Sequence, residues 1–444
     1  MKKSIICPLV LLAMLGIGGI APLRATAIAQ AVEHDAQSIA VTGIADVYGD
    51  GEKISVAVLA YPKEIDAHSV SAEYFAVEGK TIEAVYVSDK PEIPVQSTSG
   101  KYVILKFAYQ NTSNDATLTQ KTSKEKHGDK MQGTDAPSRS NRQPPDLSLR
   151  VQQTGILRGV DGAIFSPCSE ELSSTVTKEP IIDSFEQHIY TDEKTGISMP
   201  YNLYLPQGYD PSKKYPLLFF VADASANINH VKTPLFQGNG ATVWATPEEQ
   251  AKHECIVLAP QYTADLVQSI GMMTTDANEW TPGLSLITNL LFDCIHRYSV
   301  DENRIYGTGQ SQGGMTNIAI SDKYPDLFAG QLLVACQWNV DEMEAMKDKN
   351  LWIVVCEGDT KAFPGMNAAT ERWESLGSKV ARNAPFLNSK ASAEEIAAAV
   401  EALEKQGAHI HYSVFQGGNH MYTWSFAYNI EPIRDWLFRQ TKQQ

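Results

Sequence analysis

The stretch Arg304-Ile305-Tyr306-Gly307-Thr308-Gly309-Gln310-Ser311-Gln312-Gly313-Gly314-Met315-Thr316-Asn317-Ile318-Ala319-Ile320 decides how this chain is read. It joins a short apolar run to a helix-compatible one through a serine flanked by near glycines. That is the pattern of a nucleophile elbow, a strand-to-helix turn sharp enough to strain the serine backbone. Glycines two residues either side remove the Cβ atoms that would clash, and the serine hydroxyl stands clear at the carboxyl edge of the sheet. By composition alone such a pentapeptide arises about 0.15 times in a chain of this length. The legible strand before it and helix after it give the pattern its weight.

A serine hydroxyl is a weak nucleophile until a base removes its proton. In an elbow of this kind an acid follows the serine and a histidine comes last. The apolar run Leu351-Trp352-Ile353-Val354-Val355-Cys356 ends in Glu357-Gly358-Asp359, and His409-Ile410-His411-Tyr412-Ser413-Val414-Phe415 runs into Gln416-Gly417-Gly418-Asn419-His420. These place Asp359 as the acid that orients His420, and His420 as the base for Ser311. Glu357 and Asp341 are the rival acids. His409 and His411 alternate along a strand, so one packs and one faces solvent. His420 stands in a glycine-rich loop, where side chains are presented rather than packed.

An oxyanion hole needs two N–H groups aimed at the carbonyl oxygen. One is expected from Gln312. The other belongs to the loop Ala222-Asp223-Ala224-Ser225, after the strand Pro216–Val221; Ala224 is the expected donor and Asp223 the alternative. Segments 225–249 and 263–282 carry Phe236, Trp244, Met272, Met273 and Trp280. Trp244 and Trp280 are the expected substrate contacts there, and plain loop packing is the competing reading.

At 444 residues the chain exceeds one comfortable core, so two domains are expected. A hydrophobic content of 43% suits a globular protein, and a net charge of −15 disfavours nucleic acid and anionic membranes as partners. Residues 1–29 read as a signal peptide: Lys2 and Lys3, an uncharged apolar run from Ile5 to Ile20, then small-x-small sites around Ala25–Ala29. A secreted or periplasmic location follows, without stable membrane insertion once the leader is removed. The five cysteines that remain form no C-x-x-C pair and no zinc pattern, so no metal or cofactor is expected. Asp46-Val47-Tyr48-Gly49-Asp50-Gly51 lacks the ligands of a calcium loop and reads as a hairpin turn.

Alternation in Ile54–Val58, Tyr74–Val77, Ile82–Val87, Tyr102–Tyr109 and Leu147–Val151 predicts a small all-β, immunoglobulin-like sandwich over residues 36–165, with a polar insertion at 111–145. A linker is expected at 166–180, and an α/β domain with a doubly wound, mostly parallel sheet over 181–442. It should hold about eight strands between Gln187 and Phe415. Leu284, Ile287, Leu291, Cys294 and Tyr298 mark an amphipathic helix. Ser392 and Glu395 form a capping box for another, closed at Gly407. Trp424 to Leu437 is expected as the last helix.

The C-terminal two-thirds resembles secreted α/β-hydrolase esterases of the prolyl-oligopeptidase-like and polyhydroxybutyrate-depolymerase-like group. The resemblance rests on Tyr215–Phe220, Val257–Tyr262, Gly307–Met315, Glu357-Gly358-Asp359 and Gly417-Gly418-Asn419-His420. It implies an α/β-hydrolase fold with Ser311, Asp359 and His420 as triad. The N-terminal part is similar to the immunoglobulin-like domain that precedes some such esterases. Relatives carry a His-Gly or His-Asp pair in the oxyanion loop, where this chain has Ala222. The expected activity is cleavage of a small or oligomeric ester through an acyl-enzyme. A serine peptidase, an acetyl or feruloyl esterase, and a non-catalytic surface-binding protein are the alternatives.

Overall fold

The computed structural model describes residues 39–112 and 143–442. The leader and residues 113–142 of the insertion lie outside them. Strands β1 (Ala40–Tyr48), β2 (Gly51–Asp66), β3 (Phe75–Val77), β4 (Ile82–Ser88), β5 (Ser99–Phe107), β6 (Arg150–Gln153), β7 (Leu157–Arg158), β8 (Ile164–Phe165) and β9 (Leu172–Lys178) build the first unit. Seven of them form one sheet in the order β3-β6-β9-β1-β2-β5-β4, and β7 pairs with β8. Phe75 and Val77 from one edge and Val87 from the other enter a single apolar core with Val41, Leu59, Leu105 and Val151. The sheet therefore closes over itself, as an immunoglobulin-like domain must to hide its apolar face.

One expectation is corrected here. Residues 166–180 are not merely a linker: β9 pairs parallel to β1, Val41 opposite Ser174 and Ile44 opposite Lys178. Its run Ser-Ser-Thr-Val-Thr has few apolar side chains because most of β9 is exposed, so composition alone reads as a connector. The Tyr48–Gly51 turn joins β1 to β2 as a hairpin, as expected.

The second unit is an α/β-hydrolase fold. It holds β10 (Glu186–Thr191), β11 (Ser198–Tyr204), β12 (Tyr215–Val221), β13 (Ile256–Pro260), β14 (Val300–Gln310), β15 (Gly330–Val334), β16 (Leu351–Cys356), β17 (Val380–Arg382) and β18 (Ile410–Phe415). Its helices are α1 (Pro180–Asp183), α2 (Thr233–Phe236), α3 (Pro247–Lys252), α4 (Ala264–Ile270), α5 (Pro282–Arg297), α6 (Gln312–Lys323), α7 (Ala362–Ser375), α8 (Ala393–Glu404), α9 (His420–Ala427) and α10 (Glu431–Phe438). The nine strands run β10-β11-β13-β12-β14-β15-β16-β18-β17 among the described residues, one more than expected. Pairings on either side of β11 are antiparallel, and the others are parallel.

Strand periodicity splits the core in two. Leu217, Phe219 and Val221 face one side with α5, α6 and α7; Leu218 and Phe220 face the other with α8, α9 and α10. Continuous apolar runs such as Tyr215–Val221 arise because both faces are covered. The last helix is two: α9 ends at Ala427 and α10 starts at Glu431 with Pro432 in its first turn, since proline lacks the N–H a continuous helix would need there. Ser392 and Glu395 form the expected capping box. His411 is buried and His409 exposed.

Candidate active site

Ser311 lies between β14 and α6 with φ 50° and ψ −119°, backbone that an L-residue adopts only under constraint. The constraint is packing. A Cβ on Gly309 would come 2.4 Å from the Val221 carbonyl oxygen, and one on Gly313 only 1.8 Å from it. Bare glycines let β14 and α6 press against β12. Ser311 N–H donates to Val334 O at 3.0 Å, which fixes the turn on β15.

The structure brings the three predicted side chains together. His420 Nε2 is 2.8 Å from Ser311 Oγ, and His420 Nδ1 is 2.6 Å from Asp359 Oδ2. Asp359 is buried, and its Oδ1 accepts the Lys361 and Ala362 N–H groups at 3.0 and 2.9 Å. Burial alone would raise its carboxyl. The hydrogen bond and charge of His420, with those two N–H groups, outweigh burial and hold it below the usual range. His420 opens α9, whose cap is Asn419, accepting the Tyr422 N–H at 2.8 Å. Neither rival acid reaches His420. Glu357 accepts the Gly417 N–H at 3.1 Å and so pins the histidine loop, while Asp341 is exposed at the start of a helical turn.

Gln312 is the first residue of α6, and Ala224 the first of a one-turn helix after β12. Helix geometry leaves both N–H groups without an intrahelical acceptor. Asp223, the alternative donor, also has a part to play through its side chain. Asp223 is buried, and its carboxylate accepts Ser225 N–H at 2.7 Å, Gln237 Nε2 at 2.6 Å and Gln310 Nε2 at 3.2 Å. Gln237 also donates to Ser225 Oγ. Gln310 in turn accepts the Tyr428 hydroxyl at 3.0 Å. Sequence reading missed Gln237, Gln310 and Tyr428. Only the place of Gln310 inside the elbow marked it.

The two tryptophans are corrections. Trp244 is fully buried, donates to Gly240 O at 2.7 Å and packs on Phe438, so it is a core residue. Trp280 donates to Ser285 Oγ, and Lys323 Nζ stands 3.9 Å over its ring. Lys323 ends α6, a helix of 12 residues and therefore about 17 Å long, so the ring sits far from Ser311. Apolar loop residues at these spacings were bound for the core. Two polar residues of segment 263–282 reach elements that carry the site. Thr274 Oγ1 lies 3.8 Å from Met315 Sδ, and Asp276 pairs with Lys361 at 3.4 Å.

Glu249, His253 and Asp435 hold ligand atoms within 4.8 Å of one another, away from Ser311. Arg434 Nε already lies 2.8 Å from Glu249 Oε2, which sets a built-in cation against the group. The cysteines Cys255, Cys294, Cys336 and Cys356 are buried, and none of them is in a disulfide.

Residues 40–166 match the model of the esterase Ig-like N-terminal domain, and residues 291–444 that of the prolyl oligopeptidase family. The chain is a serine hydrolase. A thermostable esterase of known structure shares its fold at a TM-score of 0.67 and 24% identity, over 90% of this chain and 99% of that one. A ferulic acid esterase from Anaeromyces mucronatus is similar at 15% identity and TM-score 0.38, over 56% of this hydrolase and 89% of that chain. A poly(3-hydroxybutyrate) depolymerase from Bordetella parapertussis is similar at 14% identity and TM-score 0.37, over 60% of this hydrolase and 94% of that chain. No curated protein matches the hydrolase.

Proposed function

We propose that this hydrolase is an exported carboxylesterase with Ser311, His420 and Asp359 as its catalytic triad. The observation that carries this is the unbroken chain of contacts at 2.8 and 2.6 Å through the two nitrogens of one imidazole. Ser311 attacks the ester carbonyl as His420 Nε2 takes its proton. The oxyanion forms beside the Gln312 and Ala224 N–H groups, at the positive end of α6. His420 returns the proton to the leaving alcohol, and the acyl group stays on Ser311. Water, deprotonated by the same imidazole, then releases the acid. Asp359 holds the ring and stabilises its cation throughout.

The preference for esters is supported by the match of the N-terminal domain to a domain found on esterases. The match of residues 291–444 to the prolyl oligopeptidase family favours a second reading, a peptidase working through the same triad. Turnover of p-nitrophenyl acyl esters against aminoacyl anilides separates them. Esters should be cleaved and anilides left, and the reverse result would establish the peptidase. A fluorophosphonate should label the native chain and not Ser311→Ala; equal labelling of both would sink the triad. The basic, apolar and alanine-rich leader supports export to the periplasm or beyond, and mature protein recovered there should begin after residue 29 or close to it.

A further inference from the structure

The β1–β2 turn of the immunoglobulin-like domain is crowded against the hydrolase domain. A Cβ on Gly49, in the β1–β2 turn, would fall 1.9 Å from the Ser425 carbonyl oxygen and 2.9 Å from its Cα. Ser425 belongs to α9, the helix that His420 opens. The other side of the turn lies on the chain after α2. A Cβ on Gly51 would be 3.4 Å from Phe236 O and 3.5 Å from Gln237 O, and one on Gly238 would be 3.0 Å from Gly49 O. Gln237 is the residue whose side chain holds Asp223 and Ser225, on either side of Ala224. Asn239, two residues on, donates to Asn429 Oδ1 at 2.6 Å, just past the end of α9. The turn is thus seated between the helix that carries the imidazole and the backbone of Gln237, whose side chain holds the oxyanion loop.

The turn is also stiffened from within. Asp50 Oδ2 accepts Lys53 Nζ at 2.5 Å and the Thr112 hydroxyl at 2.9 Å, and Asp50 Oδ1 accepts the Tyr109 hydroxyl at 2.9 Å. Tyr48 stacks on Tyr109 with ring centroids 4.4 Å apart. A hairpin that merely covered the surface would not need this bracing, nor bare glycine on both flanks.

We propose that the β1–β2 turn, Tyr48–Gly51, is a positioning element of the hydrolase site: it sets the spacing between the helix presenting His420 and the loop presenting the Ala224 N–H. The proposal rests on the serine-hydrolase reading above. Gly49 and Asp50 are positioning residues, acting through α9 and through Gln237. Displacing either support misaligns groups that act on the transition state, so kcat should respond and KM should not.

The test is steady-state hydrolysis of a p-nitrophenyl ester by the full chain as wild type, Gly49→Ala, Asp50→Asn, Val87→Ala and Ser311→Ala. Val87 is in the sandwich core, opposite Val103 and so level with Leu59, about 26 Å along β2 from the turn. Gly49→Ala should lower kcat about 10- to 100-fold with KM within about threefold, and Asp50→Asn about 3- to 10-fold. Val87→Ala should lower Tm and leave kcat at the wild-type value below the transition. Folded Gly49→Ala with kcat within twofold of wild type overturns the proposal. So does a Val87→Ala loss of kcat equal to that of Gly49→Ala at equal loss of Tm. Should Gly49→Ala fail to fold, Asp50→Asn decides, and undiminished kcat there overturns it. Full activity in Ser311→Ala would instead remove the hydrolase reading itself.

Discussion

In the proposed triad His420 can serve Ser311 only in the tautomer that carries its proton on Nδ1, because Nε2 must accept from the hydroxyl while Nδ1 donates to Asp359. Asp359→Asn can present an amide N–H to Nδ1 and so stabilises the opposite tautomer. A fall in kcat of about 10⁴-fold with little change in KM is expected from steady-state ester hydrolysis. The amide of Gln237 acts more remotely, holding Asp223 and Ser225 around Ala224. Gln237→Leu should lower kcat about 10- to 100-fold, approaching the loss of an oxyanion donor, with circular dichroism unchanged. Ser311, Asp359 and His420 were legible because each closes an apolar run, in the order the elbow demands. Gln237 was not, since its partners lie 14 and 12 residues back across a folded loop. In sequence it is one polar loop residue among many.

Among the elements, β18 carries a histidine where the sheet needs an apolar side chain. His411 stacks on Trp352 of β16 at 4.3 Å and meets Trp436 of α10 edge-on at 5.2 Å. Burial pushes its pKa down to about 4 from 6.5. The folded chain therefore keeps His411 neutral where the unfolded chain already binds a proton. Stability is full above pH 6.5 and falls as pH drops towards 4, by on the order of 3 kcal/mol. His411→Phe should flatten that limb of a Tm-against-pH series and leave the neutral value within a few degrees. The alternation His409, His411 told which pattern to expect, and the strand supplied the inside and the outside. The split between α9 and α10 was less legible. Pro432 announces it, but apolar residues continue across the break because both helices pack on the same sheet face.

At the scale of the whole molecule, the seam between the two units carries a buried acid. Glu52 of β2 lies beside Glu179 and Asp183, with Lys232 opposing them. Burial first, then the Glu179 carboxylate, hold the Glu52 carboxyl well above its usual range. A carboxyl raised in the folded state stabilises fully below the unfolded value of about 4.5, and the benefit is lost as pH rises through the folded value. Tm should therefore decline in wild type as pH rises from 4.5 towards about 8, and Glu52→Gln should remove that decline. A wild-type slope that persists in the variant would show that the charge lies elsewhere.

The all-β first unit, the strand–helix alternation after it, the elbow and the three side chains that meet there could be read from the chain alone, because they follow from local sterics and from period-2 and period-3.6 patterns. Which tryptophans are core, that Leu172–Lys178 completes a sheet, and that a distant hairpin turn sits against the histidine helix were decided only by the fold. Each depends on what packs from across the molecule, and neither side of such a contact carries a mark of the other in its own sequence.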